Sequence, residues 1–153
     1  VPKFSWTEIP LSKKQDTQNV KLDEFEAFCL SIGNPHAVIF INNLEELENL
    51  NINSIGPRLE KHPMFPEFAN IEFVSVLEDK SLRVRVWERG AGMTSACGSG
   101  ACATLVAASI LNKSAKENKI VLDGGDLIIK WLDNGSVTLS GDTEKVFEGF
   151  IGE

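Results

Sequence analysis

The chain has 153 residues, of which 42% are hydrophobic and 24% are charged, and its formal net charge is −7. This composition is typical of a single globular domain with a hydrophobic core. The acidic balance and the lack of a basic stripe argue against nucleic acid and anionic membranes as partners. No apolar run approaches the roughly 20 residues that cross a bilayer, and the first residues lack the apolar core of a signal peptide, so we expect a cytoplasmic protein.

The cysteines and histidines exclude two further classes of protein. There are three cysteines, with no Cys-x-x-Cys pair, and only two histidines. An odd number of cysteines argues against a disulfide framework, and the lack of paired ligands argues against a zinc site. We therefore expect reduced thiols and no metal.

The first part of the chain is predicted to be a connector followed by two buried strands. Residues 1–18 are polar and irregular, as in a connector that runs over a surface. Apolar runs at 25–32 and 37–42 predict strands, and the segment Gly33-Asn-Pro-His36 separates them.

The middle of the chain is predicted to contain helices and then a hairpin. Leucines and isoleucines at helical spacing predict two short helices, at 44–50 and 52–61, with an interruption at Gly56-Pro57. Alternation of apolar and polar residues then predicts two strands joined as a hairpin, at 71–77 and 81–88.

The last part is predicted to contain one prominent helix and several short strands. Residues 98–111 form an Ala-rich apolar stretch without proline, which predicts a helix. Turn residues, best seen in Asp133-Asn-Gly135, separate the predicted strands that follow, at 120–122, 127–132, 136–139 and 146–150. About eight strands around one apolar helix predict an α+β fold: a curled, mostly antiparallel sheet or barrel around a central Ala-rich helix.

Cys97 is the first candidate for catalysis, because it lies at the start of the helix predicted for 98–111. The unpaired N–H groups of a first helical turn stabilise an anion, so this position predicts a lowered cysteine pKa and a reactive thiolate. The same groups could bind a substrate carboxylate. Cys29 and Cys102 lie in apolar surroundings and are interpreted as buried structural cysteines.

Three loops contain polar side chains that a core would not need. They supply Asn34 and His36, then Asn70, then Glu88 and Arg89. Each has a structural alternative: an Asn before proline often shapes a turn, a lone histidine is usually a satisfied structural group, and Glu88-Arg89 could be a surface ion pair.

Ordered motifs along the chain identify a family. They are Phe4-x-Trp-x-x-Ile-Pro-Leu11, Gly33-Asn-Pro-His-Ala-Val38, His62-Pro-x-Phe-Pro66 with Asn70, Trp87-Glu-Arg-Gly-Ala-Gly92, Ala96-Cys-Gly-Ser-Gly-Ala-Cys-Ala103, Gly124-Gly125 and Phe147-Glu-Gly149. With these motifs the chain resembles the C-terminal half of diaminopimelate epimerase, a cofactor-independent enzyme of lysine and peptidoglycan precursor biosynthesis. It interconverts LL- and meso-diaminopimelate.

The resemblance implies a two-base mechanism without pyridoxal phosphate. One cysteine thiolate takes the α-proton, a second thiol returns a proton to the opposite face, and Cys97 resembles one of the pair. The remaining roles that the resemblance implies are carboxylate binding by the backbone of Gly98 and Ser99, substrate binding by Asn34, Asn70, Glu88 and Arg89, and adjustment of the thiol pKa values by His36 and Glu88.

Two positions depart from the family pattern, and one motif is absent. Met93 stands where a glutamate is common, and Gly141-Asp-Thr143 stands where Gly-Pro-Ala is common. The second cysteine of the family belongs to an N-terminal half with a Cys-Gly-Asn motif, which this sequence lacks.

We therefore expect residues 1–18 to be a connector from that N-terminal half and residues 19–153 to be one C-terminal domain. The expected partners are diaminopimelate and the N-terminal half, a homodimer is left open, and the chain by itself is predicted to be inactive. A related racemase or isomerase and a non-catalytic ligand-binding module are the alternatives.

Overall fold

A computed structural model describes residues 1–152, which form nine strands and three helices. The helices are α1 Leu44–Asn49, α2 Ile52–Glu60 and α3 Gly98–Ile110. The strands are β1 Val20–Leu22, β2 Phe25–Ser31, β3 Pro35–Phe40, β4 Asn70–Val76, β5 Leu82–Glu88, β6 Gly92–Thr94, β7 Glu117–Leu122, β8 Gly125–Trp131 and β9 Val137–Gly141. Within residues 1–152, no helix combines the length and the apolarity needed to span a membrane.

All nine strands belong to one sheet, in the order β1-β2-β3-β4-β5-β7-β8-β9, with β6 paired to β5. The pairs β3–β4 and β5–β7 are parallel and the others antiparallel. Parallel neighbours need a crossover connection, and here the helices provide it: α1 and α2 join β3 to β4, and α3 lies between β5 and β7. The mostly antiparallel α+β fold is confirmed, with a sheet that is not closed into a barrel.

The sheet separates two hydrophobic cores. Successive residues of a strand point to opposite faces, and along β4 Ile71 and Phe73 pack with α1 and α2, whereas Val74 packs with α3. The central nine residues of α3, 100–108, are all buried. The Ala-rich composition of α3 allows this, because small side chains let the strands of the curved sheet approach the helix on several sides.

Two details of the helices and strands differ from the sequence prediction. Helix α2 is continuous through Gly56 and Pro57, and the predicted interruption is wrong. A Cβ atom on Gly56 would lie 2.4 Å from the indole of Trp87, so glycine is required for α2 to reach the sheet. The three-residue strands β1 and β6 were not predicted, since each is too short to show alternation.

The strand predicted at 146–150 is wrong. The ladder of the edge strand β9 ends at Gly141, and residues 142–152 are exposed and form no helix or strand. Their apolar side chains include Phe147 and Phe150, which are 82% and 102% exposed. The local sequence was therefore insufficient to predict a strand here, because no strand among residues 1–152 pairs with this segment.

The N-terminal segment predicted as a surface connector contributes to the core. Ile9 and Leu11 are buried in the core beside α1 and α2, and Lys3 forms an antiparallel bridge with Ser31. Its assignment as a connector to another domain stays a prediction.

Candidate functional site

Cys97 is the N-cap residue of α3. Its backbone is extended, and its Sγ accepts a hydrogen bond from the Gly100 N–H at 3.4 Å and lies 3.6 Å from the Ser99 hydroxyl. Only 6% of the residue is exposed. The predicted position of Cys97 at the mouth of the helix is thus confirmed, with the sulfur directed at the first turn.

The prediction that this position lowers the thiol pKa is wrong for the chain by itself. Burial raises the pKa of Cys97 to about 11, from an ordinary value of 9.0. The hydrogen bonds with Ser99 and Gly100 lower the pKa, but by less than burial raises it, and the negative charges of Glu72 and Glu88 raise it further. Burial also raises the pKa of Cys29 and Cys102, whose predicted burial is confirmed. Desolvation of the sulfur therefore outweighs the helix terminus.

The N–H groups of Gly98 and Ser99 lie at the open end of α3. The first hydrogen bond of the helical ladder is donated by the Ala101 N–H to the Cys97 carbonyl, and the Gly100 N–H donates to the Cys97 sulfur. The N–H groups of Gly98 and Ser99 therefore lie before the ladder begins. Gly98 is exposed and Ser99 half-buried. This end of the helix can therefore accept an anion next to the Cys97 sulfur.

A buried glutamate that the sequence analysis missed lies beside Cys97. Glu72, in the middle of β4, is fully buried. A Cβ atom on Gly100 would lie 2.8 Å from Glu72 Oε1 and 3.2 Å from Cys97 Sγ, so Gly100 gives space to both groups. A charged residue between the apolar residues Ile71 and Phe73 was the available sequence signal.

His36 contacts Glu72 and Asn34 through its two ring nitrogens. Nδ1 lies 2.7 Å from Glu72 Oε1 and Nε2 lies 3.0 Å from Asn34 Oδ1. The His36 side chain is fully buried, at the start of β3, next to β4 in the sheet. The described contacts connect His36 to the Cys97 environment through Glu72.

Asn70 joins two of the three polar loops. Its Nδ2 donates to the Pro35 carbonyl at 3.0 Å, and its Oδ1 accepts from the Arg89 N–H at 2.9 Å. The side chain is buried. Its amide therefore holds the loop of Asn34 next to the loop of Arg89, a structural role that the sequence analysis did not predict.

Glu88 and Arg89 point in different directions. Glu88 accepts a hydrogen bond from the Thr94 hydroxyl of β6, whereas the Arg89 guanidinium donates to the Glu67 carbonyl at 3.0 Å. The two residues therefore do not pair with each other as a surface ion pair. Met93, where a glutamate was expected, is 36% exposed, on the strand face opposite Thr94.

Glu60, at the end of α2, holds the loop after β5. It accepts from the Trp87 indole N–H at 2.7 Å and from the Gly90 N–H at 2.9 Å. Both carboxylate oxygens are thus satisfied. This buried group fixes the backbone around Glu88 and Arg89.

The fold therefore brings the predicted site residues to one region, formed by the ends of β3, β4 and β5 and the start of α3. On one side, His36 contacts Asn34, and Asn70 contacts the Pro35 carbonyl between them. Cys97, Gly98 and Ser99 lie on the other side. Glu72 connects the two sides. Among residues 1–152, no group of three or more His, Cys, Asp or Glu side chains is arranged to bind a metal.

Comparison with known proteins assigns the family. Residues 28–146 match the sequence model for diaminopimelate epimerase. The chain is 49% identical to a diaminopimelate epimerase from Phocaeicola vulgatus over 129 residues, which cover 84% of the chain and 45% of the relative. It is 45% identical to the protein of that name from Acidiphilium cryptum over 152 residues, 97% of the chain and 53% of the relative.

Solved structures with related folds include a predicted epimerase from Pseudomonas aeruginosa, with a TM-score of 0.53 and 17% identity over 83% of this chain and 48% of that one. A probable proline racemase from Agrobacterium radiobacter has a TM-score of 0.51 and 15% identity over 74% of this chain and 41% of that one. These two share the fold with the chain. The chain spans about half the length of the curated relatives it matches. The match over 28–146 and the identity across most of its length show that the chain belongs to the diaminopimelate epimerase family.

Proposed function

We propose that the chain is the C-terminal domain of a diaminopimelate epimerase, in which residues 19–153 form the domain and residues 1–18 connect it to an N-terminal half. Relatives named diaminopimelate epimerase at 40–49% identity support this function. The single observation on which the mechanism depends is the placement of the Cys97 sulfur at the open N-terminus of α3.

In this mechanism Cys97 transfers the α-proton on one face of the substrate. When the second thiol, supplied by the N-terminal half, begins as a thiolate, it takes the α-proton, and the Cys97 thiol gives its proton to the opposite face. The second cysteine ends as a thiol and Cys97 as a thiolate, so the reverse reaction begins with Cys97 as the base. No pyridoxal phosphate takes part.

The start of α3 stabilises the charge that forms as the α-proton leaves. The substrate carboxylate accepts hydrogen bonds from the Gly98 and Ser99 N–H groups, and its negative charge grows as the carbanion forms. Donors that are already fixed by the helix lose little entropy when they bind the substrate, which is why a preformed helix terminus suits this step.

The raised pKa of Cys97 fits the half of the reaction in which Cys97 returns a proton, because the thiol is protonated at neutral pH in the free chain. For the reverse direction, the ammonium group of the bound substrate favours the thiolate, since a nearby positive charge lowers a thiol pKa. Diaminopimelate has two ammonium groups, which also suits a chain with a net charge of −7.

The other site residues bind and orient the substrate. Asn34, Glu88 and Arg89 are proposed to contact its polar groups. His36 and Glu88 are proposed to adjust the pKa values of the two catalytic thiols. Both ends of the Asn70 amide already bind backbone groups. Asn70 is therefore proposed to bind substrate only through its second N–H or the second lone pair of its oxygen. A reducing compartment such as the cytoplasm suits this site, since the thiols must remain free.

The experiment compares the 153-residue chain with a fusion in which the N-terminal half of the Phocaeicola vulgatus relative precedes it. Exchange of the α-proton of LL-diaminopimelate in D₂O, followed by proton NMR, is expected for the fusion and absent for the chain alone. Cys97→Ser in the fusion should slow the conversion of LL- to meso-diaminopimelate by at least about 100-fold, because the group that acts on one face of the substrate is removed. Cys102→Ser is the control and should retain exchange. Conversion of LL- to meso-diaminopimelate by the chain alone, or at an undiminished rate by the Cys97→Ser fusion, would contradict the two-thiol mechanism.

The same fusion tests the two alternatives. A non-catalytic module would bind diaminopimelate in calorimetry without any proton exchange. A related racemase would exchange the α-proton of another amino acid, such as proline, in preference to diaminopimelate. The identity to proteins named diaminopimelate epimerase favours diaminopimelate over proline, since the probable proline racemase shares only the fold.

A further inference from the structure

The most unusual buried group of the molecule is the Glu72 carboxylate. It lies on the central strand β4 with no exposed surface, and its Oε2 atom has no hydrogen-bond partner among residues 1–152. Leaving a buried carboxylate oxygen unpaired is costly, because it loses water without replacement. A buried group of this kind therefore suggests that its remaining hydrogen bond has a functional role.

That remaining contact is with His36. Glu72 Oε1 lies 2.7 Å from Nδ1 of the ring, and both side chains are fully buried. An ionised carboxylate can only accept hydrogen bonds, so Nδ1 must then be the protonated, donating nitrogen. The opposite nitrogen, Nε2, lies 3.0 Å from Asn34 Oδ1. In a neutral ring protonated on Nδ1 this nitrogen accepts, so the Asn34 amide must turn its Nδ2 group toward it to donate.

We propose that Glu72 is a positioning residue for the proton-transfer site: it fixes the His36 ring with a proton on Nδ1 and thereby directs Nε2 toward Asn34 and the substrate. The functional meaning of this inference rests on the proposed function. A carboxylate that holds one histidine nitrogen sets both the tautomer and the orientation of the ring. Gly100 is part of the arrangement, because any larger residue would displace the carboxylate from its place beside the ring.

The second histidine of the chain provides an internal control. His62 Nδ1 accepts a hydrogen bond from the Met64 N–H at 3.1 Å, so this nitrogen is unprotonated and the ring proton belongs on Nε2. Nε2 of His62 lies 3.5 Å from Asp23 Oδ1. The two histidines should therefore be opposite tautomers: His36 with a proton on Nδ1, and His62 with its proton on Nε2.

The experiment labels the histidines of the 153-residue chain with ¹⁵N and records long-range proton–nitrogen spectra of the rings. With only two histidines, two sets of signals are expected, and His62→Gln assigns them. We expect a protonated Nδ1 in His36 and an unprotonated Nδ1 in His62. A wild-type His36 ring with its only proton on Nε2 would overturn the proposal, because Glu72 would then be the protonated partner.

Two matched variants separate positioning from general stability. Glu72→Leu removes the acceptor, so the His36 ring signals should shift toward the form protonated on Nε2 while those of His62 stay in place. Glu60→Leu removes another buried carboxylate that touches neither histidine, and it should leave the His36 signals unchanged. Unchanged His36 signals in a folded Glu72→Leu chain would contradict the proposal.

These spectra need no turnover. A failure of the positioning role is therefore distinct from a failure of the proposed function, which the proton-exchange experiment tests. If Glu72→Leu does not fold, the wild-type spectrum alone still decides which nitrogen bears the proton.

Discussion

The end of α2 and the start of α3 have similar packing, but they differ in how many hydrogen bonds the buried glutamate of each region accepts. Each has a glycine pressed against a neighbouring side chain and a buried glutamate nearby. In the α2 region, which consists of Gly56, Glu60, Trp87 and Gly90, both oxygens of the glutamate accept hydrogen bonds.

In the α3 region, which consists of His36, Glu72, Cys97 and Gly100, one oxygen of the glutamate has no hydrogen-bond partner among residues 1–152, and burial raises the pKa of the thiol. The difference teaches that the satisfied Glu60 carboxylate stabilises the scaffold, whereas the incompletely satisfied Glu72 carboxylate lies where chemistry is proposed. The three predictions below test this contrast between the two regions.

The largest expected effect comes from the two glycines. Gly56→Ala should lower the free energy of unfolding by about 3 kcal/mol, because its Cβ would lie within 2.4–2.6 Å of three atoms of the rigid Trp87 indole. Gly100→Ala should cost only about 1 kcal/mol, since the displaced carboxylate is the end of a flexible side chain and alanine is the better helix former. Urea unfolding of both variants measures the difference. A larger loss for Gly100→Ala would mean that the α3 region is the more rigid one.

An intermediate effect is expected from the two glutamates. Glu60→Gln should lower the free energy of unfolding by about 2 kcal/mol, because the amide NH₂ would face a buried donor, either the Trp87 indole or the Gly90 N–H. Glu72→Gln should change the free energy of unfolding by less than about 1 kcal/mol. The amide oxygen can still accept from His36, and within residues 1–152 the second carboxylate oxygen has no hydrogen bond to lose. Denaturant unfolding at neutral pH checks both, and equal losses would remove the distinction between the regions.

The smallest effect concerns alkaline pH. Unfolded thiols release their protons near pH 9, whereas folded Cys97 keeps its proton up to about pH 11, so the unfolded state binds fewer protons in this interval. The free energy of unfolding should therefore be unaffected below pH 9 and fall between pH 9 and 11, by no more than about 1 kcal/mol per pH unit for this thiol.

Replacing Cys97 tests this origin. Cys97→Ala should make the fall in the free energy of unfolding above pH 9 less steep, whereas Glu60→Gln should leave its slope unchanged. Cys29 and Cys102 add to the same fall, since burial raises their pKa as well. A slope that does not respond to Cys97→Ala would show that the thiol is solvated in solution.

Much of the fold was predictable because its signals are local. Alternation in β5 and the Asp-Asn-Gly turn between β8 and β9 both depend on residues that are neighbours in sequence. The start of α3 was predictable for the same reason, since Gly98 follows the N-cap thiol directly. The strand predicted at 146–150 failed because a strand also requires a partner, which the local sequence cannot supply.

The site was predictable as a set of residues but not as an arrangement. The motifs placed Asn34, His36 and Cys97 in one site, but they gave no indication that Asn70 would bridge two loops. Glu72 was missed because a glutamate in a strand is unremarkable until its burial is known.

The sequence by itself determined the family, the mostly antiparallel α+β architecture and the position of Cys97 at a helix terminus. The tertiary structure alone decided that the pKa of Cys97 is raised rather than lowered, that Glu72 contacts His36, and that Gly100 leaves room for Glu72 and Cys97. The physical reason is range: backbone propensities and capping act within a few residues, whereas desolvation and buried charge pairs depend on groups that only folding brings together.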